Sequence, residues 1–144
     1  MNTDYNNYFN KYLKYKNKYL NTKNQTGGDT GCERKTEPAF NNEYYNNFKK
    51  GLYFEKVSNI PLFSSKDKFD SGTGWPSFRK PINPTIIKFS IEPDGRIEVH
   101  TDTCHLGHLF LHETEKEPIR YCMNSKALIF IPYENLTPEQ KILC

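Results

Sequence analysis

The sequence predicts a mainly β body of antiparallel type, with short helices at the N- and C-termini. Three observations carry this. From residue 36 onward turn formers recur at short intervals: Lys50-Gly51, Asn59, Pro61, Ser71-Gly72, Gly74, Pro76, Pro81, Pro84, Pro93-Asp94-Gly95 and Gly107. The runs between them are short and rich in β-branched and aromatic residues, as in Thr85–Ile91, Arg96–Thr101 and Ala127–Ile131. The first two runs flank Glu92-Pro93-Asp94-Gly95, which reads as a hairpin.

Taken in chain order, residues 1–50 stand apart, with eleven of the fifteen Asn and seven of the ten Tyr. Tyr5, Tyr8, Phe9, Tyr12, Leu13, Tyr19 and Leu20 recur at helical spacing, and Lys11, Lys14 and Lys18 fall largely on other faces. Gly27-Gly28 ends this helix and Asp29–Lys35 reads as a linker, so residues 1–35 are a basic amphipathic helix with a flexible tail. Residues 36–144 form the functional domain. At its far end Thr137-Pro138-Glu139-Gln140 has the pattern of a capping box with Pro at the first helical position.

Composition narrows the class. Aromatics are 15% of the 144 residues, enough to build a core although hydrophobic residues are only 35% and mean hydropathy is −0.83. The longest apolar run, Ala127–Ile131, is far short of the ~20 residues of a membrane span. The first 25 residues hold five lysines and no apolar block, against a secretory signal. The expectation is therefore a cytoplasmic protein with no membrane partner. A net charge of +3 does not call for nucleic acid either. The four cysteines, Cys32, Cys104, Cys122 and Cys144, include no C-x-x-C pair, and a reducing compartment makes their chemistry transient.

Three clusters hold residues suited to chemistry. In Phe69–Phe78 the single Trp75 lies between Gly74 and Pro76, as a core plug or as the wall of an apolar pocket. In Cys104–Phe110, His105 and His108 are three apart. On a regular strand they face opposite ways, and they converge only if Gly107 permits a bend or bulge. A metal site would need Cys104 and Cys122 as further ligands. In Arg120–Ser125 an extended chain puts Arg120, Cys122 and Asn124 on one face. A guanidinium beside a thiol lowers its pKa and raises the thiolate fraction, whereas an ordinary free Cys is buried and inert. The class these residues define is thiol chemistry on a small, partly apolar substrate.

The stretches Pro61–Ser65, Lys68–Phe78, His105–Phe110 and Arg120–Ser125 together resemble the methionine sulfoxide reductase B family. A weaker opening at Thr36-Glu37-Pro38, Phe40, Tyr44-Tyr45, Gly51 and Tyr53 fits in register, and the resemblance runs over residues 36–132. It implies two antiparallel sheets and reduction of the R-epimer of methionine sulfoxide, free or in oxidised proteins. It implies that Cys122 is the attacking thiol and that His105 and His108 manage the proton on the sulfoxide oxygen. It further implies that Arg120 supports the thiolate, that Asn124 lines the site, and that Trp75 grips the S-methyl group, with Phe78 and Phe110 as further substrate-binding aromatics. No cofactor is expected. The reductant is an external thiol of the thioredoxin type, and the protein is a monomer. Residues 1–35 resemble the Tyr/Lys/Asn-rich leaders of giant-virus proteins, which would place a virus-encoded chain in the host cytoplasm.

Four departures from the family stand out. Glu55 and Ser58 occupy the first zinc-ligand pair and no second pair precedes His105, so the chain resembles the zinc-free branch. The segment before His105 is about two residues shorter. Thr73 stands at a common resolving-cysteine position. His112, with Glu113 next, stands where an acid is frequent. With Thr73 unable to resolve a sulfenic acid, Cys32 is the leading resolving thiol, ahead of Cys144, Cys104 and direct reduction. The competing class is a binding module that uses the Trp75 pocket without catalysis.

Overall fold

The computed structural model describes residues 32–144. The predicted N-terminal helix and its leader lie outside these residues. Nine strands build the body: β1 Gly51–Glu55, β2 Pro61–Ser64, β3 Lys68–Phe69, β4 Ser77–Phe78, β5 Lys88–Ile91, β6 Ile97–His100, β7 His105–Leu111, β8 Ile119–Met123 and β9 Leu128–Pro132. They form a three-stranded sheet in the order β2-β1-β9 and a six-stranded sheet in the order β3-β4-β8-β7-β6-β5, with every pair antiparallel.

The predicted hairpin is β5–β6, closed between Ile91 and Ile97, with Gly95 N donating to Glu92 O at 2.9 Å. It begins later than the apolar pattern suggests. Asn83 accepts from Thr85 N and Pro84 follows, so Pro84–Ile86 turns as a 3-10 helix before the strand starts. The terminal helix, α1 (Pro138–Lys141), is a single turn with both hydrogen bonds of the predicted capping box.

The aromatic content is spent between the two sheets. On the smaller sheet Phe63, Tyr53 and Phe130 are cross-strand partners. On the larger sheet Phe78, Tyr121 and Leu109 are partners in the same way. The two rows meet: Phe63 stacks on Phe78 with ring centroids 4.4 Å apart, and Tyr53 meets Phe78 edge-on at 5.1 Å. Each such ring contributes about 1.5–3 kcal/mol by burial. The far face of the small sheet carries Leu52 and Phe54, covered by Leu136, Leu143 and Cys144.

Glu55, fully buried at the end of β1, accepts from Thr101 Oγ1 at 2.6 Å and from Thr103 Oγ1. It thereby ties the β6–β7 turn to the small sheet. Glu55→Ala is expected to lower the unfolding free energy by about 2 kcal/mol, because both hydroxyls lose a charged acceptor and a void opens. A denaturant midpoint within error of the parent would show that this clip contributes nothing.

Candidate active site

Alternation along the strands divides the large sheet into two faces. On β8 Ile119, Tyr121 and Met123 enter the core, which turns Arg120 and Cys122 to the opposite face. On that face Ser77, Cys122, His108, Glu98 and Ser90 are successive cross-strand partners from β4 to β5. Cys122 and His108 are therefore side by side, with Cβ atoms about 5 Å apart. Phe110 and Arg120 form the adjacent pair, the guanidinium lying 4.5 Å from the ring centroid.

His105 joins this face through an irregularity. The β6–β7 register slips between Val99 and His100, so that His100 pairs with His105 while Val99 pairs with Gly107. The slip reverses parity, and the two imidazoles meet edge-on with centroids 5.8 Å apart. Gly107 makes it possible: its φ is +156°, and a Cβ there would lie 2.0 Å from Cys122 O.

Each histidine is held by a carboxylate. His105 Nδ1 donates to Glu98 Oε2 at 2.6 Å, and Arg34 Nη2 donates to Glu98 Oε1 at 3.0 Å. Burial opposes ionisation of Glu98, but the His105 hydrogen bond and the surrounding positive groups hold its carboxyl below the ordinary range. His108 Nε2 donates to Glu92 Oε1, and Arg96 lies 3.5 Å from the other Glu92 oxygen. Burial lowers the His108 pKa against the pull of Glu92, which favours the neutral ring. Among the described residues, two buried side-chain atoms have no hydrogen-bond partner in the protein, His105 Nε2 and Arg120 Nη1.

The segment 32–38 crosses this face as a strap. Glu37 N donates to Asn124 Oδ1 at 3.3 Å, Asn124 Nδ2 to Lys35 O at 3.4 Å, and Trp75 Nε1 to Glu37 O at 2.8 Å. The buried Glu37 carboxylate accepts from Ser125 N and Lys126 N, capping the 3-10 turn Ser125–Ala127 that follows Asn124. A disulfide joins Cys32 to Cys104, so the expected boundary between residues 35 and 36 falls inside the strap.

Several expectations are corrected. Arg120 does pull the Cys122 thiol down, by charge and hydrogen bond, but burial outweighs it and Glu113 and Glu37 add to burial; the net shift is upward. Trp75 is half-buried with its indole N–H on the strap, and it is absent from the core. Phe78 is fully buried between Phe63 and Tyr53, so it packs the core and offers a substrate no surface. Cys32, expected as a free thiol, is bonded to Cys104. Among the described cysteines Cys122 and Cys144 are free, and Cys144 packs beside Leu52 and Phe54 on the small sheet. No metal-holding group of three or more His, Cys, Asp or Glu occurs among the described residues.

Sequence reading missed Glu92, Glu98, Arg34 and Glu37. Glu98 had a signal, because Glu98 and His100 alternate with Ile97 and Val99, a polar face inside a strand. Glu113 binds Arg120 Nη2 at 2.8 Å, while His112 is exposed at φ +58°.

The Cys122 shift has a measurable sign. In a Cys144→Ser background, alkylation of Cys122 should rise with pH beyond the midpoint of an ordinary thiol. Arg120→Gln should slow it at pH 7 and Glu113→Gln should speed it, because one removes a lowering charge and the other a raising one. Peptide mapping of the alkylated residue against pH provides the check. A midpoint below that of free cysteine would contradict the direction.

A two-sheet β protein with a thiol, a guanidinium and two carboxylate-held imidazoles on one face belongs, by class, to the thiol oxidoreductases. The family model described as the SelR domain matches residues 29–132, and the chain belongs to that family. It is 47% identical over 111 residues to the peptide methionine sulfoxide reductase MsrB of Staphylococcus saprophyticus, covering 72% of this chain and 78% of that protein. The peptide methionine sulfoxide reductase MsrB of Staphylococcus haemolyticus is 48% identical over the same length and coverage.

Proposed function

We infer that this chain reduces the R-epimer of methionine sulfoxide, free or in oxidised proteins, to methionine. The observation that carries the reading is the Cys122–His108 cross-strand pair, beside the unpaired His105 Nε2 and Arg120 Nη1. Sulfoxide oxygen leaves sulfur only when protonated, so an acid must reach it. With Nδ1 committed to Glu98, His105 offers its second nitrogen for that proton; His108 stands next to the thiol and receives its proton. The Cys122 thiolate attacks sulfur, the oxygen passes to Cys122 as sulfenic acid, and methionine leaves with its lone pair restored. The half-buried indole of Trp75 gives the S-methyl group an apolar face, with Phe110 against the Arg120 guanidinium as a further aromatic surface.

Glu55 and Ser58 do not favour metal, since Glu55 is already committed to two threonine hydroxyls. Turnover is completed by an external dithiol of the thioredoxin type, and the catalytic unit is a monomer in a reducing cytoplasm. No helix among the described residues is long and apolar enough to cross a membrane. The test is turnover of the two separated sulfoxide epimers with a dithiol reductant. Reduction of the R-epimer at least ~10²-fold faster than the S-epimer is expected. No reduction of the R-epimer, or equal rates, would overturn the reading.

A further inference from the structure

We propose that Cys32 is a shuttle which first bonds to oxidised Cys122 and then hands the oxidation to Cys104, so that the Cys32–Cys104 disulfide is the resting oxidised form presented to the reductant. The inference rests on the methionine sulfoxide reading of Cys122.

The strap supplies the geometry. Glu37 is anchored at Asn124, two residues from Cys122, and at Trp75. From that anchor the chain back to Cys32 can span at most about 17 Å. Cys104 lies just before β7, four residues from His108, the partner of Cys122. Four residues of strand are about 13 Å. Both sulfurs therefore lie within reach of one tether whose anchor is Glu37. The burial pattern assigns the roles. Cys122 and Cys32 are partly exposed, whereas Cys104 is fully buried in the core cluster. A bulky dithiol protein can attack the pair only at Cys32 Sγ, with Cys104 as the leaving thiol.

The steps balance. Cys32 thiolate attacks the sulfenic sulfur of Cys122, forming the Cys32–Cys122 bond, and the hydroxyl leaves as water after taking a proton. Cys104 thiolate then attacks Cys32 Sγ. The Cys32–Cys104 bond forms, the Cys32–Cys122 bond breaks, and Cys122 departs as a thiolate ready for a second substrate. Two thiols are oxidised by two electrons, and the sulfenic acid is reduced to a thiol. An external dithiol later restores Cys32 and Cys104.

The fully reduced chain, freed of reductant and kept from air, is mixed with excess R-sulfoxide of free methionine. Because Cys122 is regenerated once, the parent should release about two methionines per chain, against about one for Cys32→Ser and for Cys104→Ser. With one equivalent, peptide mapping should find Cys32–Cys104 in the parent and Cys32–Cys122 in Cys104→Ser. Cys32→Ser should retain a sulfenic acid on Cys122. One methionine per chain from the parent, with Cys32 and Cys104 both free, overturns the shuttle and leaves the reductase reading standing. Formation of Cys32–Cys104 in Cys122→Ser at the parent's rate also overturns it. No methionine from any form overturns the reductase reading itself. If Cys104→Ser fails to fold, the parent and Cys32→Ser stoichiometries decide alone.

Discussion

Cys122→Ser is expected to reduce turnover of the R-sulfoxide by about 10³-fold or more, with the fold unchanged. A hydroxyl is not ionised near neutral pH and cannot accept oxygen as a sulfenic acid, so both the attack and the intermediate are lost. The fold should survive because Ser and Cys are close in volume. The side chain also sits between Ser77 and His108 on the face of the sheet opposite the packed core. The measurement pairs initial rates on the R-epimer with the denaturant midpoint. A residual rate within tenfold of the parent would mean that Cys122 is not the nucleophile. An unchanged midpoint with lost turnover ties the loss to the sulfur alone.

The parts of the site legible in the sequence are those fixed by strand parity. Arg120 and Cys122 share a face because β8 is regular there, and that much follows from spacing. The convergence of His105 and His108 was legible only as a condition on Gly107, and the register slip at Val99/His100 meets it. The capping box was equally local and came out as read, and so did the hairpin, except that its first strand starts at Lys88 and not at Thr85.

What sequence reading missed depends on long-range placement. Arg34 and Glu98 are 64 positions apart, and Glu37 and Ser125 are 88 apart. No periodicity reports that a strap returns across the sheet. The same holds for the Cys122 thiol, because its neighbour Arg120 is visible in the sequence whereas its burial and the nearness of Glu37 are not. Phe78 was misread for a related reason. Its place in the Trp75 motif suggested the pocket, but alternation from Ser77, the partner of Cys122, sends Phe78 to the core.

Gly107→Ala is expected to cost about 3 kcal/mol or more in stability and about 10²-fold in turnover of the molecules that still fold. The added Cβ would stand 2.0 Å from Cys122 O, 2.9 Å from Met123 Cα and 3.0 Å from Cys122 C. All three contacts are backbone atoms of β8, so no side chain can swing aside. Strands β7 and β8 must part, or β7 must abandon its φ of +156° and with it the slip that brings His105 round. Either response moves His108 relative to Cys122, or His105 relative to both. Gly72→Ala is the control: Gly72 also has positive φ, +73°, but its Cβ would meet nothing within 4 Å, so only the ~1 kcal/mol of a left-handed alanine is at stake. The two variants, compared by denaturant midpoint and by kcat/KM on the R-epimer, separate close approach from backbone strain. Equal small losses in both would show that β7 and β8 can separate without cost. That outcome would remove Gly107 from the account of how the two histidines reach one face.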